Sequence, residues 1–223
     1  MSIPRILSAH ALELRARPAE IVNSITHGAG LLMSIPACAA LLYAAWGTES
    51  RYQLAAIGLY AFGFIGTYAA STASHLFHAG TINRWLRMLD QGFIYLFIAG
   101  TYTPLMAPFL MNERHYWLLA AIWATAIFGF VTKTFFASRI YGVSTGLYLA
   151  LGWIPAIGLW DVILAAPSDI MGLVAAGGVC YTVGVYFLLR DNHQRCDHAV
   201  WHLLVMAASA FHFVAIWLAS MRA

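Results

Sequence analysis

Seven runs of about twenty apolar residues follow one another along this chain of 223 residues, and that pattern leaves few folds open to it. The runs lie near 21–46, 52–77, 90–110, 115–136, 141–164, 169–189 and 197–220. A helix of roughly 20 residues crosses the ~30 Å hydrocarbon layer of a bilayer. With no water to satisfy the backbone, such a segment must bond internally and is helical. Only 9% of the residues are charged, against about 25% in a soluble domain. So few charges cannot cover a water-facing surface of this size. The chain is therefore expected to be an all-α integral membrane protein of seven transmembrane helices, multi-pass in the cell membrane, with lipid as its main partner. Residues 21–223 form the expected seven-helix transmembrane domain and residues 1–20 a cytoplasmic N-terminal segment.

Orientation follows from the cations. The breaks at 47–51, 78–89, 112–114, 138–140, 166–168 and 190–196 are short and polar. Arg5, Arg15, Arg17, Arg84, Arg87, Lys133, Arg139, Arg190 and Arg195 fall on the side of the N-terminus, and Arg51, Arg114 and Arg222 on the other. The positive-inside rule puts the N-terminus in the cytoplasm and the C-terminus outside. Residues 1–18 mix arginines with leucines and have no cleavable apolar core, so they read as an interfacial amphipathic segment or a plain tail.

Several function classes drop out. A net charge of +3 from scattered cations does not make a nucleic-acid face. Cys38, Cys180 and Cys196 are too dispersed for a disulfide framework or a cysteine metal site. The seventh span has no lysine for a Schiff base, and no span carries the repeated polar stripe of a conducting pore. Pro36, Pro104 and Pro155 are expected to kink their helices, and Gly142 with Gly146 forms a GxxxG pair.

Ionisable groups inside a membrane are costly and point to function. Here they gather in one layer. Span 1 begins with Asn23, Thr26 and His27; span 2 ends with Ser71, Ser74, His75 and His78; span 3 begins with Asp90; span 7 begins with Asp197, His198 and His202. Alternating span directions bring all of these to the cytoplasmic ends of their helices. His198 and His202, at i and i+4, project from one helix face and can offer two imidazoles to one metal. His75, at matching depth on span 2, is the best third ligand. Ser71 lies one turn earlier on the same face. Asp90 could be a direct ligand or could bind the metal's water. His212 lies about 15 Å beyond His202 at 1.5 Å per residue, too far for the same metal, and reads as an interhelical hydrogen-bonding group. His78 and His193 read as interfacial anchors.

The strings Glu20-Ile-Val-Asn23-Ser-Ile-Thr26-His27, Ser71-Thr-Ala-Ser-His75, Leu89-Asp90-Gln91, Ile98-Ala-Gly-Thr-Tyr-Thr-Pro104 and His198-Ala-Val-Trp-His202 occur in that order. Together they resemble the hemolysin III family, the bacterial branch of the progestin and adipoQ receptor superfamily. The resemblance implies a seven-helix fold and a zinc ion held by His75, His198 and His202, with Ser71 and Asp90 beside its water. Ser74 and His78 repeat the SxxxH spacing, and the distance to Asp90 favours His75. Gln91 stands where many bacterial members carry histidine, at a position that holds no ligand.

The resemblance further implies a zinc-dependent hydrolase of a lipid-like amide or ester entering from the inner leaflet, related to ceramidases. In this reading zinc activates a water, Asp90 orients it and takes its proton, and Ser71 holds Asp90 or the water. The alternatives are a signalling or homeostasis protein whose zinc is structural, and, further off, a pore-forming hemolysin.

Overall fold

The computed structural model describes residues 3–47, 50–77, 80–109, 112–136, 144–191 and 197–222, with the backbone alone for 3–17, 80, 109 and 144. Among these residues there are eight α-helices and no strand: α1 (Ile3–Trp46), α2 (Arg51–Leu76), α3 (Gly80–Met106), α4 (Glu113–Phe136), α5 (Ser144–Gly158), α6 (Trp160–Ala165), α7 (Ser168–Arg190) and α8 (Asp197–Arg222). A single 3-10 turn, Ala107–Phe109, follows α3. The stretch Pro18–Trp46 of α1, together with α2, α4, α7 and α8, is long and apolar enough to cross a membrane.

The burial pattern is that of a molecule solvated by lipid. Leu32 is 73% exposed, Trp46 76% and Ile157 77%, whereas Asn23, His27, Ser71, His75 and His202 are buried. In a water-soluble protein large apolar groups go in and polar groups out; here the outer belt is apolar and the polar groups are inside.

Two predicted spans have different bounds in the structure. The third was expected to begin at 90, after a polar break, but α3 begins at Gly80. Its first turns alternate Ile82, Trp85 and Leu86 with Asn83, Arg84 and Arg87, an amphipathic start that a search for uninterrupted apolar sequence passes over. The fifth was expected to run unbroken to 164, but α5 ends at Gly158 and α6 starts at Trp160. Pro155 has no N–H to give the preceding turn, and glycine follows three residues later. The bonds Leu159 N–H to Pro155 O and Ile163 N–H to Leu159 O, both 2.9 Å, carry the chain across the interruption. The N-terminal segment, read from sequence as interfacial helix or tail, is helical from Ile3 and continuous with α1.

Helix α2 packs along α3, α7 along α8, and α1 lies against both α2 and α8. Glycine sets the α2–α3 spacing. A Cβ on Gly63 would come within 2.8 Å of Phe97 Cα, and one on Gly100 within 3.0 Å of the Leu59 carbonyl oxygen. Of the GxxxG pair, Gly146 sets no such spacing, since a Cβ there meets nothing within 4 Å, and Gly142 lies outside the described residues. The main core cluster joins α1, α2 and α8 through Leu41, Ile57, Tyr60, Tyr68 and Ile216. Ser50 caps α2 by accepting from Gln53 N–H at 3.2 Å. Gln53 Nε2 then donates to Ser220 Oγ at 2.9 Å, tying the first turn of α2 to the last of α8.

Candidate metal centre

At the opposite end of α2 from Ser50, three histidines converge. His75 stands in the last turn of α2. His198 and His202 occupy the first two turns of α8. One ligand nitrogen from each lies within 4.8 Å of the others. The rings of His75 and His198 are 5.1 Å apart, those of His75 and His202 5.0 Å, and those of His198 and His202 4.6 Å. The i, i+4 spacing therefore does place two imidazoles on one face, and the antiparallel run of α2 brings the third to their depth.

Each ring is held through Nδ1 by an oxygen from elsewhere in the chain. His75 Nδ1–H donates to Glu20 Oε2 at 2.6 Å. His198 Nδ1–H donates to Asp191 Oδ2 at 2.9 Å. The Thr26 hydroxyl donates to the Asn23 carbonyl at 2.9 Å, so its oxygen accepts from His202 Nδ1–H at 3.2 Å. Three engaged Nδ1 atoms leave three Nε2 lone pairs for a shared ligand. His75 Nε2 is buried with no hydrogen-bond partner among the described residues. A buried acceptor without a partner is costly, and a metal ion would satisfy it. Three imidazoles with oxygen-bonded second nitrogens suit zinc, and two of them carry the outer carboxylate usual for histidine ligands.

Further groups surround the triad. His27 stacks on His202 with ring centroids 3.5 Å apart and planes within 15°. Its Nδ1 lies 2.7 Å from Ser71 Oγ. The Asp90 carboxylate accepts from Ser74 Oγ at 3.2 Å, with Ser71 alongside. Glu20 uses its second oxygen to accept from Arg87 at 3.0 Å, and Arg87 Nε donates to Asn83 Oδ1 at 3.0 Å. Asn83 Nδ2 in turn donates to the Ser74 carbonyl at 2.7 Å. Helices α1, α2 and α3 are thus knitted around one carboxylate.

Of the residues picked out from the sequence, His75, His198 and His202 meet, and Ser71 and Asp90 stand beside them. Ser71 bonds both His27 and Asp90, and Ser74 adds a second hydroxyl to the Asp90 carboxylate. Arg87, three residues before Asp90 on α3, pairs with Glu20. Glu20, Thr26 and Asp191 were not singled out as ring holders. A carboxylate close to a histidine-bearing helix end was the available signal, and it does not say which histidine it will meet. His212 bonds across helices, its Nε2 donating to the Val174 carbonyl at 3.1 Å. Gly177 makes the room, since a Cβ there would lie 2.3 Å from the His212 ring. His78 and His193 lie outside the described residues.

A cavity of about 610 Å³ opens from the triad into the bundle. His75, Asp90 and His202 line one end of it, and Ile163 of α6 and Met171 of α7 the other. Apolar side chains such as Ile94, Ile98, Leu105 and Leu149 make up much of the wall between.

Fold and site together define a helical membrane protein with a buried three-histidine centre that could hold a metal. Comparison with known sequences agrees. The family described as Haemolysin-III related matches residues 16–213, and this chain belongs to the hemolysin III family. It is 35% identical over 197 residues to Hemolysin-3 of Bacillus cereus, covering 88% of this chain and 90% of that protein. It is 32% identical to a Hemolysin-3 homolog of Bacillus subtilis (strain 168), covering 88% and 92%. The monocyte to macrophage differentiation factor of Homo sapiens is 30% identical over 171 residues, 71% of this chain and 68% of that protein.

Proposed function

We propose that this protein is a zinc-dependent membrane hydrolase acting on the amide or ester bond of a lipid-like substrate drawn from the inner leaflet. The observation that carries the reading is a three-nitrogen centre opening on a largely apolar cavity that the Asp90 carboxylate also lines. In this reading the chain crosses the membrane seven times, α3 and the α5–α6 pair supplying two of the crossings, with a cytoplasmic N-terminus. Residues 1–20 precede the first crossing and 21–223 form the bundle.

His75, His198 and His202 would hold the zinc, which when bound supplies Lewis acidity and brings the pKa of water towards about 7. The chain's own groups do the rest. Asp90 accepts the proton of the attacking water on the oxygen that Ser74 leaves available. It returns that proton to the departing nitrogen or oxygen as the C–N or C–O bond breaks, so water is added across the bond. Ser74 fixes the Asp90 carboxylate, and Ser71, anchored to His27, flanks it. The apolar wall receives the acyl chain and keeps bulk water from the reacting carbonyl.

A second reading keeps the metal and drops the chemistry. The triad joins α2 to α8, so zinc would also act as a staple in a homeostasis or signalling protein. Against it, structural zinc sites are closed by four protein ligands, whereas three histidines facing a cavity leave a position open. The pore reading has less support, since much of the cavity wall away from the centre is apolar.

Asp90→Asn tests the choice. Metal content and lipid-amide hydrolysis are measured on one preparation. The hydrolase reading expects about one zinc per chain in both proteins and a turnover at least ~100-fold lower in the variant. Retained zinc with undiminished turnover would refute Asp90 as the base, and zinc without turnover in the wild type would favour the staple.

A further inference from the structure

Resting on the hydrolase reading, we propose that the cavity has a second recognition point away from the triad, where His212 takes a hydroxyl carried within the acyl chain of the substrate. Four polar residues form a band at that level: Thr101 and Tyr102 of α3, Tyr181 of α7 and His212 of α8. All four line the cavity. His212 lies ten residues beyond His202, about 15 Å along α8 at 1.5 Å per residue. Thr101 lies eleven beyond Asp90, about 16 Å along α3. Two helices that start at the metal centre therefore reach the band at the same depth. Tyr181 closes on the His212 ring, with centroids 5.5 Å apart.

Each member of the band has committed its proton to the protein. His212 Nε2–H donates to the Val174 carbonyl at 3.1 Å, so the neutral ring presents a lone pair at Nδ1. Thr101 Oγ1 donates to the Phe97 carbonyl at 2.8 Å, and the Tyr102 hydroxyl to the Gly152 carbonyl. Ser209 Oγ donates to the Val205 carbonyl at 2.8 Å, so the Tyr181 hydroxyl is the donor in its 3.1 Å bond to Ser209. Tyr68 donates to the same serine at 3.1 Å, which leaves Ser209 saturated. The band therefore offers acceptors, and among the described residues no side chain donates to them. A saturated chain drawn past it strips water from these atoms and returns no hydrogen bond, which is unfavourable. A ketone there adds one more acceptor. A hydroxyl brings the missing proton, and the imidazole nitrogen is the strongest acceptor on offer. With a carbon–carbon bond of about 1.5 Å, a depth of about 15 Å corresponds to on the order of twelve carbons of an extended chain.

The experiment uses the full chain in detergent with three ethanolamides of stearic acid: unsubstituted, with a hydroxyl at the twelfth carbon, and with a ketone there. Trp153 and Trp201 line the cavity, so binding is read as Kd from tryptophan fluorescence. The hydroxylated amide should bind about 10-fold more tightly than the unsubstituted one, as expected when an unpaired buried acceptor gains its donor. The ketone should gain nothing. His212→Phe keeps a flat ring without nitrogens and should abolish the preference. His212→Gln keeps a donor for Val174 and an acceptor for the ligand, and should retain most of it. Equal affinity for hydroxylated and unsubstituted amides overturns the proposal and means that water serves the band. A ketone that binds as tightly as the hydroxyl overturns it too, and so does a preference unchanged in His212→Phe. The wild-type comparison needs no variant, so it decides alone should His212→Phe not fold. Cleavage is followed separately: if none of the three is hydrolysed, the hydrolase reading fails, while the order of affinities still decides the hydroxyl site. No binding of any of the three overturns both.

Discussion

Replacing Glu20 by glutamine keeps the shape of the side chain and removes its charge, and the structure sets the size of the effect. Glu20 accepts from His75 Nδ1–H at 2.6 Å and from Arg87 at 3.0 Å. A glutamine oxygen can still accept from His75, so the ring orientation survives while the charge-assisted part of the bond is lost. Changes in the outer shell of a metal site cost about 10–100-fold in affinity. Glu20→Gln should fall near 10-fold, about 1.4 kcal/mol. Glu20→Ala frees the ring and also strands Arg87, and should fall near 100-fold. Thr26 holds His202 through a neutral hydroxyl at 3.2 Å, a weaker bond. A neutral hydrogen bond contributes roughly 0.5–1.5 kcal/mol, so Thr26→Val should lose up to about 10-fold and less than Glu20→Ala. The assay is chelator competition, with bound zinc counted at each chelator concentration. Unchanged zinc affinity in Glu20→Ala would refute the claim that Glu20 prepares His75 as a ligand. An inverted order, with Thr26→Val the more damaging, would refute the ranking by charge.

Other consequences are checked more simply. A chelator should lower the melting temperature of the wild type and leave that of His202→Ala nearly unchanged, because ligand binding stabilises only the state that assembles the site. Equal shifts in the two proteins would contradict a centre made by this residue. Gly177→Ala drives a methyl into the His212 ring and should destabilise by about 1–3 kcal/mol, whereas Gly146→Ala meets nothing and should be near neutral; thermal unfolding in detergent compares them. Nine cations on one side against three on the other predict an external C-terminus, so a C-terminal reporter enzyme active only in the cytoplasm would overturn the orientation.

The triad was legible in the sequence because its signal is local and additive. His198 and His202 share a helix face by spacing alone, and alternating span directions bring His75 to the same end. The family-specific strings named the same residues. What the sequence did not reveal depends on rotation and on packing between distant helices. That both Ser71 and Ser74 reach Asp90 depends on which side of α2 faces α3. Arg87 stands near Asp90 in sequence, yet it reaches across to α1 and Glu20. The start of α3 was missed because ten amphipathic residues look like a polar loop to a search for apolar runs. Asp191 falls just beyond the end of α7, where only the folded turn shows that it meets His198.

Every histidine of the centre is steadied by a part of the chain other than its own helix: His75 by α1, His202 by α1, and His198 by the residue that ends α7. Of the described helices, α1 supplies two of these props, and α8 supplies two of the three nitrogens. A chain holding only α1 to α7 has one histidine of the three. If the centre holds zinc as proposed, the three-histidine grip forms only once α8 has docked between α1 and α7. A truncation anywhere before Asp197 would leave such a centre with His75 alone of its three nitrogens.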